Sequence, residues 1–269
     1  MRQKIVLITG GSSGIGKSIG LYLQSKGFKV FGTTRNLKNY PDFTDFELLQ
    51  LDVRDNTSIN QAINALIVSE GYIDVLINNA GIGITGPIEE TPEVEIKKAF
   101  DTNFYGPINM VRAVLPQMRS QGSGLIINIT SIAGYMGLPY RGVYSATKGA
   151  LELITEALRI ETRDFGVKIT NLAPGDFLTN IAAGRYHTPA AKTSAYYQSY
   201  SKTLLMIDEH VQEGEDPIKV AEKVLKIINT KNPKVHYIVG SPMQRFSLFL
   251  KKLLPDKVYE RLLLNHYKL

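Results

Sequence analysis

Short apolar runs alternate with longer stretches of helical periodicity along most of the chain. Residues 5–9, 29–34, 47–53, 74–78, 125–130, 168–172 and 235–239 are rich in Val, Ile and Leu and lack two-residue alternation. A strand wetted on one face alternates apolar with polar positions, so these runs predict strands buried on both faces. Between them, apolar positions recur at helical spacing over 16–25, 58–69, 92–118, 143–162 and 217–229, and Asp216 before Pro217 makes a helix start. Repeated strand–helix–strand order predicts an α/β fold: a doubly wound parallel sheet of the Rossmann type with helices on both faces. No repeat or linker interrupts it, so one domain is expected.

Two segments break the rhythm. Residues 176–214 are too long for an ordinary connection and are expected to form a substrate lid carrying short helices. The segment's Phe177, Tyr186, His187, Tyr196, Tyr197, Tyr200, Leu204, Leu205 and Met206 fit either a sizeable apolar substrate or packing of the lid on the body. Residues 241–269 read as a C-terminal helical extension, with amphipathic patterns over 246–254 and 258–264 split by Pro255. Three readings stay open for it: a cover over the pocket, a subunit contact, or contact with anionic lipid.

Composition narrows the chemistry. The 269 residues hold no cysteine, which excludes disulfides and thiolate metal sites, and the four histidines are dispersed, so no metal is expected. The net charge of +6 suits an anionic ligand, an acidic membrane surface or nucleic acid. Basic residues are scattered except near the C-terminus and no nucleic-acid motif accompanies them, so a phosphorylated cofactor is the simpler partner. The apolar run at 5–8 is too short for a signal peptide, and no run approaches the roughly 18 residues of a membrane span. A cytoplasmic protein is expected, with peripheral membrane contact left open.

The first strand ends in Thr9-Gly10-Gly11-Ser12-Ser13-Gly14-Ile15-Gly16, and a helix follows at once. Glycines allow a tight turn and let backbone amides approach a pyrophosphate, which the helix N-terminus then attracts. After the second strand comes Thr33-Thr34-Arg35-Asn36. NAD-binding folds place an acid near here for the ribose 2′-hydroxyl; Arg35 instead can clamp a 2′-phosphate, which points to NADP(H). The alternative is a solvated loop cation. Tyr144 and Lys148 lie one helical turn apart on one face. Tyr22 and Lys26 share that spacing, so position decides: Tyr144 starts a helix downstream of Ser131, beyond the carboxyl end of a strand, where open α/β sheets bind ligands.

These motifs, together with Asn78-Asn79-Ala80-Gly81, Asn103 and Pro174-Gly175, occur in the order seen in classical short-chain dehydrogenases/reductases. The chain resembles that family from about residue 4 to 179 and again at the last strand. The resemblance implies one dinucleotide-binding catalytic domain over residues 1–269. It implies NADP(H) held by Gly10, Ser12, Ser13, Gly14, Ile15, Gly16, Arg35, Asn79, Ala80 and Gly81, with Asp52 and Val53 at the adenine. Without the family, Asp52 reads as a turn former. Pro174, Gly175, Phe177 and Thr179 are implied at the nicotinamide, where Asp176 replaces a more usual apolar residue; Thr179 also reads as a helix cap.

Tyr144 is implied as general acid/base, its pKa near 10 when unperturbed and lowered by the Lys148 ammonium. Ser131 polarises the substrate oxygen, and Tyr144 and Lys148 are also implied at the cofactor, Lys148 on the nicotinamide ribose. Asn103 is implied to link Lys148 to a water chain, and otherwise reads as a helix-kink residue bonded to backbone. The expected protein is an NADPH-dependent carbonyl reductase or alcohol dehydrogenase, with a small-molecule carbonyl or alcohol of steroid, retinoid or long-chain lipid type as substrate. A homodimer or homotetramer through the helices at 92–118 and 143–162 is also implied. The competing reading is a redox sensor that holds NADP(H) without turnover.

Overall fold

The computed structural model describes residues 2–178, 184–212 and 214–269. In chain order the elements begin with β1 (Ile5–Ile8), α1 (Gly14–Ser25), β2 (Lys29–Thr34), β3 (Glu47–Gln50), α2 (Asn56–Glu70), β4 (Val75–Asn78) and β5 (Ile84–Thr85). There follow α3 (Glu93–Phe100), α4 (Gly106–Ser120), β6 (Gly124–Ile129), α5 (Gly142–Glu161), β7 (Val167–Pro174) and β8 (Tyr186–His187). The chain ends with α6 (Tyr197–Gln212), α7 (Ile218–Ile228), β9 (His236–Val239), α8 (Pro242–Leu253) and α9 (Asp256–Tyr267).

All seven expected strands form one parallel sheet in the order β3-β2-β1-β4-β6-β7-β9. The apolar runs explain why. Successive strand residues point to opposite faces, so Leu7, Leu76 and Ile126 enter the core under α2 and α4. Val6, Ile8, Val75, Ile77 and Ile127 enter the core under α1 and α7. Strand order reverses between β1 and β4, which opens a crevice at their carboxyl ends.

The helix expected over 92–118 has an internal interruption: α3 and α4 are joined by a π-helical turn, Asp101–Tyr105. In an α-helix the amide of residue 107 would bond the carbonyl of residue 103, but Pro107 has no amide. The wider turn absorbs that break and is a frequent companion of functional sites. Residues 176–214 also differ from expectation, since one helix, α6, supplies most of their described structure.

Candidate active site

The loop after β1 requires its glycines at two positions. Gly10 and Gly14 have φ of +64° and +53°, and a Cβ on Gly10 would stand 3.1 Å from the Ala80 Cα. Ser13 is the N-cap of α1, yet its side chain makes no cap bond, so first-turn amides stay available to an anion. The Asn79 amide group donates to Thr9 O and Gly10 O at 2.9 and 3.1 Å, and Thr9 Oγ1 accepts from the Asn79 and Ala80 amides. These bonds lock the β1 and β4 loops into one wall.

That wall borders a cleft of about 370 Å³. Gly10, Ser12, Ser13, Gly14 and Ile15 line its loop end, with Arg35, Asp52 and Val53 beyond. Asn79, Ala80 and Gly81 line the middle, and Ser131, Tyr144, Lys148, Pro174, Gly175 and Phe177 line the far end. Two expected residues lie outside the lining. Gly16 sits behind the loop, where a Cβ would collide with the Gly10 carbonyl and the Asn79 amide, so it serves close packing. Asn103 is fully buried in the π-helical turn. Its Oδ1 accepts from the Ile82 amide at 2.8 Å and its Nδ2 donates to Ile82 O and Thr147 Oγ1. Thr179 lies outside the described residues.

At the loop end, Arg35 is exposed on the cleft rim. Asp52 pairs with Arg54 at 2.6 Å, and that hydrogen bond holds its carboxyl below the ordinary aspartate range against the opposing effect of burial. Arg54 also lines the cleft. Sequence reasoning missed it, although the Asp52-Val53-Arg54 run was in view.

At the far end, Tyr144 stands half-buried in the first turn of α5, with the Arg141 guanidinium 5.5 Å from its ring centre. One turn on, Lys148 is buried and its Nζ donates to Ile129 O at 2.9 Å. Burial pushes the Lys148 ammonium below its ordinary value, opposed by the charges of Tyr144 and Glu152. Ser131 starts a 3₁₀ turn, and its Oγ accepts from the Ala133 amide.

Glu152, one turn past Lys148, was also missed. Its buried carboxylate accepts from Thr130 Oγ1, from the Tyr135 hydroxyl at 3.0 Å and from Asn171 Nδ2 at 2.7 Å. Its spacing from Lys148 was the available signal.

The C-terminal helices pack beside the far end of the cleft. Leu248 of α8 and Tyr259 of α9 cluster with Ile132 and Met136, directly after Ser131. Gln244, which closes a capping box with Ser241, donates to Asp176 Oδ2 at 2.8 Å, and so Asp176 anchors α8. The aromatic residues of 176–214 serve packing more than lining. Tyr200 is buried and donates to Thr85 O, and Tyr196 donates to Glu89 Oε2 at 2.6 Å. Of the apolar set named in this segment, only Phe177 lines the cleft.

A doubly wound parallel sheet with a glycine cradle and an uncapped helix at its switch point defines a nucleotide-binding α/β protein. The chain belongs to the short chain dehydrogenase family, whose family model matches residues 4–190. It is 39% identical to the 3-ketodihydrosphingosine reductase of Bacteroides thetaiotaomicron, over 97% of this chain and 96% of that protein. It is 33% identical to human 17-beta-hydroxysteroid dehydrogenase type 1, over 95% and 82% respectively. Among solved structures, ElxO with NADP bound superposes with a TM-score of 0.71 at 30% identity, covering 88% of this chain and 96% of that one. Among the described residues no helix is long and apolar enough to cross a membrane.

Proposed function

We propose that the protein is an NADP(H)-dependent oxidoreductase that interconverts a lipophilic ketone and its alcohol. The observation that carries this reading is that Ser131, Tyr144 and Lys148 line one end of the cleft whose other end is the glycine cradle. The cradle fits a dinucleotide: Gly10 and Gly14 leave no Cβ in the way, and the start of α1 offers free amides. Arg35, exposed at the rim where an NAD-binding fold carries an acid, supports a 2′-phosphate, as does the NADP-bound relative.

The cofactor, when bound, supplies or accepts the hydride. The chain's residues handle the proton. Ser131 Oγ donates to the carbonyl oxygen and Tyr144 gives that oxygen its proton in reduction, or takes it in oxidation. A charged Lys148 stabilises the phenolate left behind. Ile129 O fixes the Lys148 Nζ, so the cation is positioned before substrate arrives. Relatives named for a ketosphingoid base and for steroids support an apolar substrate. Exposed Leu153 and Ile160 on α5 support a homo-oligomer packed through that helix.

The test is reduction of long-chain and steroid ketones with NADPH deuterated at nicotinamide C4. Deuterium on the product's carbinol carbon is expected. NADP(H) binding without transfer to any ketone would favour a sensor instead.

A further inference from the structure

The outward face of α8 is apolar. Met243, Phe246, Phe249 and Leu253 are between 56% and 77% exposed, and the two Phe rings stack with centroids 6.2 Å apart. The helix's inward side is already satisfied. Leu248 is buried against Ile132 and Met136, Gln244 binds Asp176, and Lys251 lies over the Tyr259 ring and pairs with Asp256. Folding therefore does not account for the outward stripe, and the neighbouring α9 also leaves Val258 and Leu262 exposed.

Cations rim this stripe. Residues 241–269 carry Arg245, Lys251, Lys252, Lys257, Arg261 and Lys268 against only Asp256 and Glu260. Among the described residues, Arg245, Lys252, Lys257 and Arg261 have no ion-pair partner. The basic rim continues onto α7, where burial, then Lys226 and Arg245, push the Lys223 ammonium down. A second copy docking through the same face would bring these like charges together. An anionic bilayer complements both features, since rings enter the headgroup boundary while ammonium and guanidinium groups meet phosphates.

We propose that the outer face of α8 and α9 docks this protein peripherally on anionic phospholipid bilayers. Because the inner side of α8 holds Asp176 and packs on the turn after Ser131, docking sets the substrate end of the cleft beside the bilayer. The proposal does not depend on turnover.

Vesicle co-sedimentation of the full chain tests it. Wild type is expected to pellet with phosphatidylcholine–phosphatidylglycerol vesicles, not with phosphatidylcholine alone, and to be released by salt at about 0.5 M. Phe246→Ser with Phe249→Ser, and separately Arg245→Glu with Lys252→Glu, should each weaken vesicle binding about tenfold or more while melting temperature and NADPH affinity hold. Wild type staying in the supernatant at low salt would overturn the proposal, as would equal binding by the variants. Conversion of an oligomer to a smaller species by the Phe pair, without change in vesicle binding, would assign the face to a subunit contact and overturn it equally.

Discussion

Glu152 Oε2 and His236 Nδ1 stand 2.7 Å apart, one helical turn beyond the buried Lys148. His236 Nε2 in turn faces Glu156 Oε1 at 3.0 Å, so the cluster runs from the cleft wall to the surface. Lys148 gives up hydration on burial, and the Glu152 charge is one of two that oppose the resulting fall in its pKa. Glu152 is thus a charge-balancing neighbour of the cation that the proposed chemistry requires, while Ile129 O holds that cation in place.

Removing that charge should move the pH profile. With Lys148 required as ammonium, activity falls as pH rises through its pKa. Glu152→Gln removes a raising influence, so the alkaline limb of kcat/KM should shift to lower pH. An unmoved limb in the pH–rate profile would contradict this coupling. Glu152→Ala, which strands donors from Thr130, Tyr135 and Asn171, should destabilise by about 3 kcal/mol in urea unfolding.

Arg35→Ala should separate the two cofactors. Loss of a charge-assisted clamp on the 2′-phosphate corresponds to about 2 kcal/mol, or roughly thirtyfold in the NADPH Kd. The NADH Kd, read by fluorescence titration, should change little. Equal weakening of both would remove the NADP(H) assignment.

Gly16→Ala probes packing behind the loop. The added methyl meets the Gly10 carbonyl and the Asn79 amide, and both belong to the wall of the cleft. Overpacking of this kind is expected to cost about 1–3 kcal/mol in thermal or urea unfolding and to weaken NADPH binding. A variant with wild-type stability and affinity would show that the wall yields freely.

The Asp52–Arg54 pair should show in acid. A carboxyl held below its ordinary value of 3.8 binds its proton more weakly in the folded state. Its stabilisation is complete above that value and is lost as pH falls through the folded pKa. The melting-temperature gap between wild type and Asp52→Asn should be present at neutral pH and close in strong acid. A gap independent of pH would mean the pairing contributes nothing by titration.

The fold was legible because burial on both faces writes itself into the strands. Ile5, Val6, Leu7 and Ile8 are all buried, and a four-residue apolar run before glycines admits few other readings. Short-range signals failed where partners were distant. The two-residue β5–β8 sheet joins residues about a hundred positions apart, and nothing local marks it. The π-helical turn depends on Pro107, visible in the sequence, and on Asn103 bonding Ile82, which is not. Asp176 looked out of place until Gln244 supplied its partner from the C-terminal extension. At the site, motif order was enough to gather Ser131, Tyr144 and Lys148, while Arg54 borders a motif without belonging to it and Arg141 reaches the cleft from a segment that carries none.

In the proposed reaction Tyr144 transfers the proton, and cofactor binding by the glycine cradle and Arg35 does not depend on its hydroxyl. Tyr144→Phe removes the hydroxyl and leaves the ring beside Arg141. Single-turnover NADPH oxidation with the best ketone, measured alongside NADPH binding, tests this directly. The expected result is a rate at least about a hundredfold lower with an unchanged NADPH Kd. A rate close to wild type, with cofactor affinity intact, would contradict it.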